Sequence, residues 1–224
     1  KKAIILGGSS GIGKATAERF AREGWMVIIA APEEDQGTEV IKSLPGSGHF
    51  FCRTDVREEE TLLTLRALAT EKWKTFDVLV NSIGVGTNQA LVDGDYEVWN
   101  NIVKVIFYGA VKACRTLLPL VNDGGRIIHI TSIHHDRVAA GRSAYAMSKA
   151  ALTQMTRSLA LELAPRGILS NTVAPGFINT PSSVKADGKN ELESDWFIRD
   201  YVEGGRIPLR RPGLPEEVAG VVWF

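Results

Sequence analysis

The sequence predicts an α/β fold, a doubly wound parallel sheet with helices on both faces, formed as a single domain over residues 1–224. Three observations lead there. Short apolar runs alternate with longer helical patterns along nearly the whole chain, as in a parallel sheet whose crossovers are helices. A glycine-rich turn separates the first apolar run from the first helical pattern. No internal repeat, low-complexity stretch or linker divides the chain, and 224 residues at 44% hydrophobic content suffice for one sizeable core.

The elements follow in order. Residues 3–6 read Ala-Ile-Ile-Leu, a first strand, and the helical pattern after the turn places Ile12, Ala15, Ala17, Phe20 and Ala21 on its apolar positions. Further strand-like runs lie at 27–31, 49–52, 78–80, 127–131 and 170–173, separated by helical patterns at 33–44, 58–73, 96–118 and 145–163. The 96–118 and 145–163 patterns carry apolar residues further round the helix than one sheet contact needs. That suits either a helix–helix partner surface or ordinary core, and periodicity does not separate the two. The least regular stretch, 175–206, is rich in Ser, Gly, Asp and Asn but contains Trp196, Phe197 and Tyr201. A long loop of this kind inside a compact domain is expected to be a lid or binding segment, and the three aromatics weigh against a merely floppy connection.

Composition narrows the function. Lys plus Arg and Asp plus Glu both number 26, so no global field draws nucleic acid or an anionic membrane. No apolar run approaches the 18 or more residues of a membrane span. Cys52 and Cys114 lack metal-ligand spacing and read as buried thiols, which suits the cytoplasm, and no metal site is expected. Both ends read as truncated, because the first strand has almost no lead-in and the last helical run stops at Phe224.

Two stretches carry chemistry. In Gly7-Gly8-Ser9-Ser10-Gly11-Ile12-Gly13 a strand, a glycine turn and a helix follow one another, the setting in which backbone approaches a pyrophosphate and a helix amino terminus supplies N–H donors. Gly8 to Lys14 also fits the G-x-x-x-x-G-K of phosphate-transfer enzymes, but Ala15 stands where that motif needs a magnesium-binding Ser or Thr. The second stretch holds Tyr145 and Lys149, one helical turn apart on one face. A neighbouring ammonium is expected to lower the phenol's pKa toward the working pH. Ser132 follows the apolar run 127–131 and so belongs at a strand's carboxyl end. His134 and His135 follow Ser132 and either line the substrate pocket or stand as surface histidines, the reading favoured by the lack of a carboxylate partner or metal spacing.

Together these motifs resemble the short-chain dehydrogenase/reductase family, whose marks are T-G-x-x-x-G-x-G, N-N-A-G, a serine, Y-x-x-x-K and P-G. Here they stand as the glycine turn, Asn81-Ser82-Ile83-Gly84, Ser132, Tyr145/Lys149 and Pro175-Gly176, in the family's order over nearly the whole chain. The resemblance implies a Rossmann-type fold, NAD or NADP as cofactor, and hydride transfer between nicotinamide and a secondary alcohol or ketone such as a sugar, polyol or 3-oxoacyl compound. It implies Ser132, Tyr145 and Lys149 as catalytic residues. The implied cofactor site comprises Gly7, Ser9, Ser10, Gly11, Ile12, Gly13, Asp55, Val56, Asn81, Gly84, Pro175, Gly176, Ile178 and Thr180, together with Tyr145 and Lys149. It further implies a homo-dimer or homo-tetramer.

Three positions depart from the family pattern. Gly7 is read as replacing the family's first threonine, and Ser82-Ile83 replaces the middle of N-N-A-G. Ile106, seven residues after Trp99 and three before Gly109, occupies the place of an asparagine that helps hold a relay water near the lysine in relatives. That departure keeps open a cofactor-binding sensor or scaffold with little turnover. Cofactor choice stays open too: Ala31 and Pro32 offer neither acid nor base after the second strand, and Glu33 and Glu34 point either inward or to solvent.

Overall fold

The computed structural model describes residues 1–86, 89–185 and 187–224. Six strands, β1 (Lys2–Leu6), β2 (Met26–Ala31), β3 (Phe50–Arg53), β4 (Phe76–Asn81), β5 (Val121–Ile130) and β6 (Leu169–Val173), form one sheet in the order β3-β2-β1-β4-β5-β6. Every pairing is parallel. The chain winds outward from β1 to β3, then returns to β4 on the other side of β1. The crevice at that reversal, at the strands' carboxyl ends, is where such sheets bind ligands.

The period-2 geometry of β1 divides the core. Ala3 and Ile5 point to one face, with Val27, Ile29, Val78 and Val80, and pack beneath α1 (Gly11–Arg22) and α8 (Pro215–Trp223). Ile4 and Leu6 point to the other, with Ile28, Leu79 and Ile127, beneath α3 (Glu59–Trp73) and α5 (Gly109–Leu117). Burial on both faces is why these strands read as continuous apolar runs. The remaining helices are α2 (Glu34–Ser43), α4 (Tyr96–Val103), α6 (Ser143–Glu162) and a single turn, α7 (Asp195–Phe197).

The pattern expected to form one helix over 96–118 is interrupted. Asp95 caps α4, its carboxylate accepting from the Glu97 and Val98 N–H groups at 2.8 and 3.2 Å. A π turn, Lys104–Tyr108, then separates α4 from α5. The wider turn rotates the two halves relative to each other, so Ile102 and Ile106 face α6 while Ala113 and Leu117 face the sheet. Gly109 follows because a Cβ there would stand 2.4 Å from Val56 Cγ2.

Within the stretch expected as a lid, 175–206, the described residues form short 3-10 turns, α7 and a second π turn, Ile198–Glu203. Position 186 lies outside the described residues. Phe177, Phe197, Tyr201 and Trp196 form one aromatic cluster with ring centroids 4.7–5.4 Å apart along its closest contacts, and Phe197 is fully buried. Packing of aromatic rings gives this segment its own small core.

Candidate active site

An open cleft of about 1940 Å³ runs along the carboxyl ends of the strands, well above the size of a single small-ligand pocket. One end is floored by the glycine turn. Gly7 has φ +73°, and a Cβ on it would meet the Ser82 carbonyl oxygen at 2.9 Å; a Cβ on Gly13 would lie 2.0 Å from the Gly7 carbonyl oxygen. The turn therefore folds only with glycine at these points, and the amino terminus of α1 is pressed against β1. Ser10 precedes that helix without a capping side-chain bond, and its first turn holds no acid, so the leading N–H groups and the helix dipole serve an anion. Thr180 lies 3.4 Å from a Cβ built on Gly11 and closes the cleft over this point. These features fit a dinucleotide's pyrophosphate.

The geometry corrects three sequence expectations here. Gly7 is the first glycine of the motif, with a backbone no threonine would hold, so counting back from Gly11 and Gly13 the threonine's place belongs to Leu6, the last residue of β1. Gly13 faces the turn behind it and does not line the cleft; its role is close packing. Asn81, expected beside the cofactor, is buried below the cleft, its Oδ1 accepting from the Ile83 N–H at 3.1 Å and its Nδ2 lying 3.1 Å from His129 Nδ1. The other expected cofactor residues, Ser9, Ser10, Gly11, Ile12, Asp55, Val56, Gly84, Pro175, Gly176, Ile178 and Thr180, do line the cleft with Gly7. Asp55 is already engaged, since Arg57 donates to both its oxygens at 2.5–3.1 Å and holds its carboxyl below the usual carboxylate range.

At the other end the three expected catalytic side chains converge. Ser132, at the end of the β5 segment, opens a 3-10 turn (Ile133–His135) and accepts from the His134 N–H at 3.2 Å. Tyr145 and Lys149 project from α6. Burial raises the Tyr145 pKa, while a hydrogen bond with Ser132 and the charge of Arg142 pull it part of the way back. Lys149 is almost wholly buried, and its amine donates to the Ile130 and Ile83 carbonyls at 2.8 and 3.3 Å, 5.7 Å from the Tyr145 ring centroid. Burial pushes Lys149 down to about 8. The groups that lower the phenol here are Ser132 and Arg142 rather than the expected Lys149, and desolvation outweighs both.

Three features had no signal in the sequence. Ser9 Oγ donates to Glu33 Oε2 at 2.9 Å, which resolves the direction of Glu33: it leans inward over the cleft beside Ala31 and Pro32. His129 is fully buried, with Nε2 3.9 Å from Cys114 Sγ, and burial, then the charge of Lys149, push it down to about 4. His134 is not a free surface residue; its ring stands edge-to-face with Tyr145 at 6.0 Å between centroids. The local pattern I-x-I-T-S-I-H-H gave no sign that a strand end would fold the histidine back onto α6. Among the described residues no group of three or more His, Cys, Asp or Glu is placed to hold a metal ion.

Comparison with known proteins agrees with this geometry. A family model described as enoyl-(acyl carrier protein) reductase matches residues 7–224. The chain belongs to the short-chain dehydrogenase/reductase family. It is 34% identical over 229 residues to a 3-oxoacyl-acyl-carrier-protein reductase of Thermotoga maritima, covering 100% of this chain and 89% of the relative. It is 32% identical over 232 residues to a 7alpha-hydroxysteroid dehydrogenase of Clostridium sardiniense, covering 100% and 85%. A short-chain dehydrogenase of Burkholderia cenocepacia solved in complex with NADP superposes with a TM-score of 0.87 at 28% identity, over 99% of this chain and 88% of that one. This short-chain dehydrogenase/reductase is an NAD(P)-dependent oxidoreductase that transfers hydride between a nicotinamide and an alcohol or ketone.

Proposed function

We propose that Ser132, Tyr145 and Lys149 carry out this transfer on a secondary alcohol or ketone of the sugar, polyol or 3-oxoacyl type. The observation that carries the reading is their convergence at one end of a cleft whose other end is a glycine-floored anion site. The cofactor supplies the hydride chemistry when bound. Ser132 donates to the substrate oxygen and fixes it beside Tyr145. In carbonyl reduction the Tyr145 hydroxyl gives its proton to that oxygen; in alcohol oxidation the phenolate takes it back. Lys149 braces the floor of the site through the Ile83 and Ile130 carbonyls and directs its remaining N–H to the ribose hydroxyls. The described residues of the segment 175–206 serve as the substrate lid, with Trp196 and Tyr201 of the aromatic cluster lining the cleft.

The preferred cofactor is NAD. Ser9 holds the Glu33 carboxylate over the cleft where the second strand ends, a position that suits a ribose 2′-hydroxyl and repels a 2′-phosphate. Two buried free thiols, Cys52 and Cys114, favour a reducing compartment such as the cytoplasm. The exposed Tyr108 and Met147 side chains on the outer surfaces next to α5 and on α6 support a homo-dimer or homo-tetramer. A panel of acetoacetyl thioester, D-glucose, a hydroxysteroid and cyclohexanone, with each cofactor in the direction its oxidation state requires and read at 340 nm, tests the assignment. Turnover of at least one, abolished by Tyr145→Phe, supports it. Tight cofactor binding with no turnover of any favours the sensor or scaffold, whose one supporting observation is Ile106.

A further inference from the structure

The proton route to Tyr145 differs in this chain from the one its relatives' asparagine serves. Ile106 is fully buried and packs with Ile102, Ala144 and Tyr145, so the α4–α5 side of the tyrosine is an apolar wall. Lys149 lies 3% exposed with its amine on two backbone carbonyls. On the open side a substrate and a nicotinamide would cover the Tyr145 hydroxyl, with Ser132 committed to the substrate oxygen. Among the described residues the polar neighbours left to the tyrosine are Arg142, paired with Glu191, and His134, which is half-buried, lines the cleft and contacts the Tyr145 ring edge-to-face.

We propose that His134 exchanges the mobile proton between Tyr145 and solvent. This rests on the reading of Tyr145 as the general acid. The turn fixes the ring. Ser132 Oγ accepts from the His134 backbone N–H, and His134 Nδ1 lies 3.4 Å from the Arg137 carbonyl oxygen, to which it donates. Nε2 is then the ring nitrogen left to take up and give up the proton. After carbonyl reduction Tyr145 is a phenolate. The imidazolium N–H bond breaks, the proton passes through one water to the phenolate oxygen, and neutral His134 takes a proton from solvent. In alcohol oxidation the same step runs backward. No oxidant or reductant enters. The charged and titratable groups nearest the imidazole are Tyr145 and, one turn on, Lys149 from α6, Arg142 just before that helix and bonded to Glu191 at 3.4 Å, and His135, Asp136 and Arg137 from its own turn.

The test uses the fastest substrate of the four-compound panel. In His134→Gln a single turnover of hydride transfer, followed by stopped flow, keeps the parent rate. Steady-state kcat falls about a hundredfold, the low end of the ~10²–10⁴-fold range of acid–base groups, with a larger solvent isotope effect. Added imidazole restores kcat, which a merely structural role would not allow, and unchanged thermal melting shows the fold is intact. Should His134→Gln fail to fold, His134→Asn, which retains a donor for the Arg137 carbonyl, serves in its place. The proposal is overturned if the variant keeps parental kcat from pH 6 to 9, or if single-turnover and steady-state rates fall together without rescue. A parent enzyme that turns over none of the panel, or one whose Tyr145→Phe variant stays active, overturns the underlying assignment of Tyr145 instead.

Discussion

The two ends of the cleft are built by opposite means. At the glycine end backbone does the work: a positive φ, a carbonyl within 2.9 Å of a missing Cβ and uncapped helix N–H groups define the site, and side chains matter chiefly by being absent. At the tyrosine end side chains do it: a buried lysine, a serine in a tight turn and a histidine folded onto an aromatic ring depend on which elements pack against each other. A site made of backbone is constrained by local sequence and can be read from spacing. A site made of side chains depends on tertiary packing and can be read only where a motif fixes the spacing, as in Tyr145 and Lys149.

The contrast is broken most severely at Tyr145. Tyr145→Phe keeps the ring that packs on Ile106 and His134 but removes the transferable proton, so kcat should fall by roughly 10²–10⁴-fold. Cofactor binding at the distant glycine end, followed by tryptophan fluorescence, should stay nearly unchanged. A parallel loss of affinity would show that the two ends do not act separately.

His129 lies beneath the boundary between them, holding Asn81 from below, and its effect is on stability. Its pKa falls from 6.5 to about 4 on folding, so between these values the unfolded chain binds more protons than the folded one. Stability is therefore complete above pH 6.5 and declines as pH falls toward 4, by up to about 3 kcal/mol at 1.36 kcal/mol per pKa unit. His129→Asn, which keeps an acceptor for the Asn81 amide and removes the titration, should flatten that decline. Urea unfolding at pH 7 and pH 4.5 on both proteins measures it, and an equal acid loss in each would place the effect elsewhere.

Glu33 sharpens the glycine end, since it is the one place there where a side chain decides. Glu33→Gln removes the charge while keeping an oxygen for Ser9 to bond. NADP affinity should rise about tenfold, or ~1.4 kcal/mol, with NAD affinity little changed. Titration with both cofactors checks this, and no change in the NADP constant would mean that the carboxylate turns away when cofactor binds.

The same contrast explains what the sequence disclosed. The sheet and its helices were legible because strands buried on both faces read as unbroken apolar runs and β1 alternates its residues between two cores. The convergence of Ser132, Tyr145 and Lys149 was legible through spacing and strand ends. The π turn at 104–108 was not, because one extra residue in a helix leaves its apolar pattern nearly intact. Nor were the Ser9–Glu33 and Asn81–His129 pairs, which bring together residues 24 and 48 positions apart with no motif linking them. The raised pKa of Tyr145 escaped for another reason: spacing shows a neighbouring lysine but not the desolvation of the phenol.

The smallest expected effect on turnover is at Ile106, where the family's asparagine is missing. Restoring it tests whether this wall of the tyrosine end limits proton recovery. Ile106 is fully buried against Ile102 and Ala144, so Ile106→Asn places an amide among apolar side chains. A buried polar group without a partner costs about 1–3 kcal/mol. In a chain of this size each kcal/mol lowers the melting temperature by about 2–4 °C. The π turn at Lys104–Tyr108 is already present without the asparagine, so the local backbone does not depend on that side chain. With the proton passing through His134, the variant should melt lower while its kcat and solvent isotope effect match the parent's. A several-fold rise in kcat with a smaller isotope effect would show instead that proton recovery is held back at this wall and that the asparagine relieves it. Combining Ile106→Asn with His134→Gln separates the two routes: if the asparagine opens a path of its own, it restores part of the rate that the histidine variant lost.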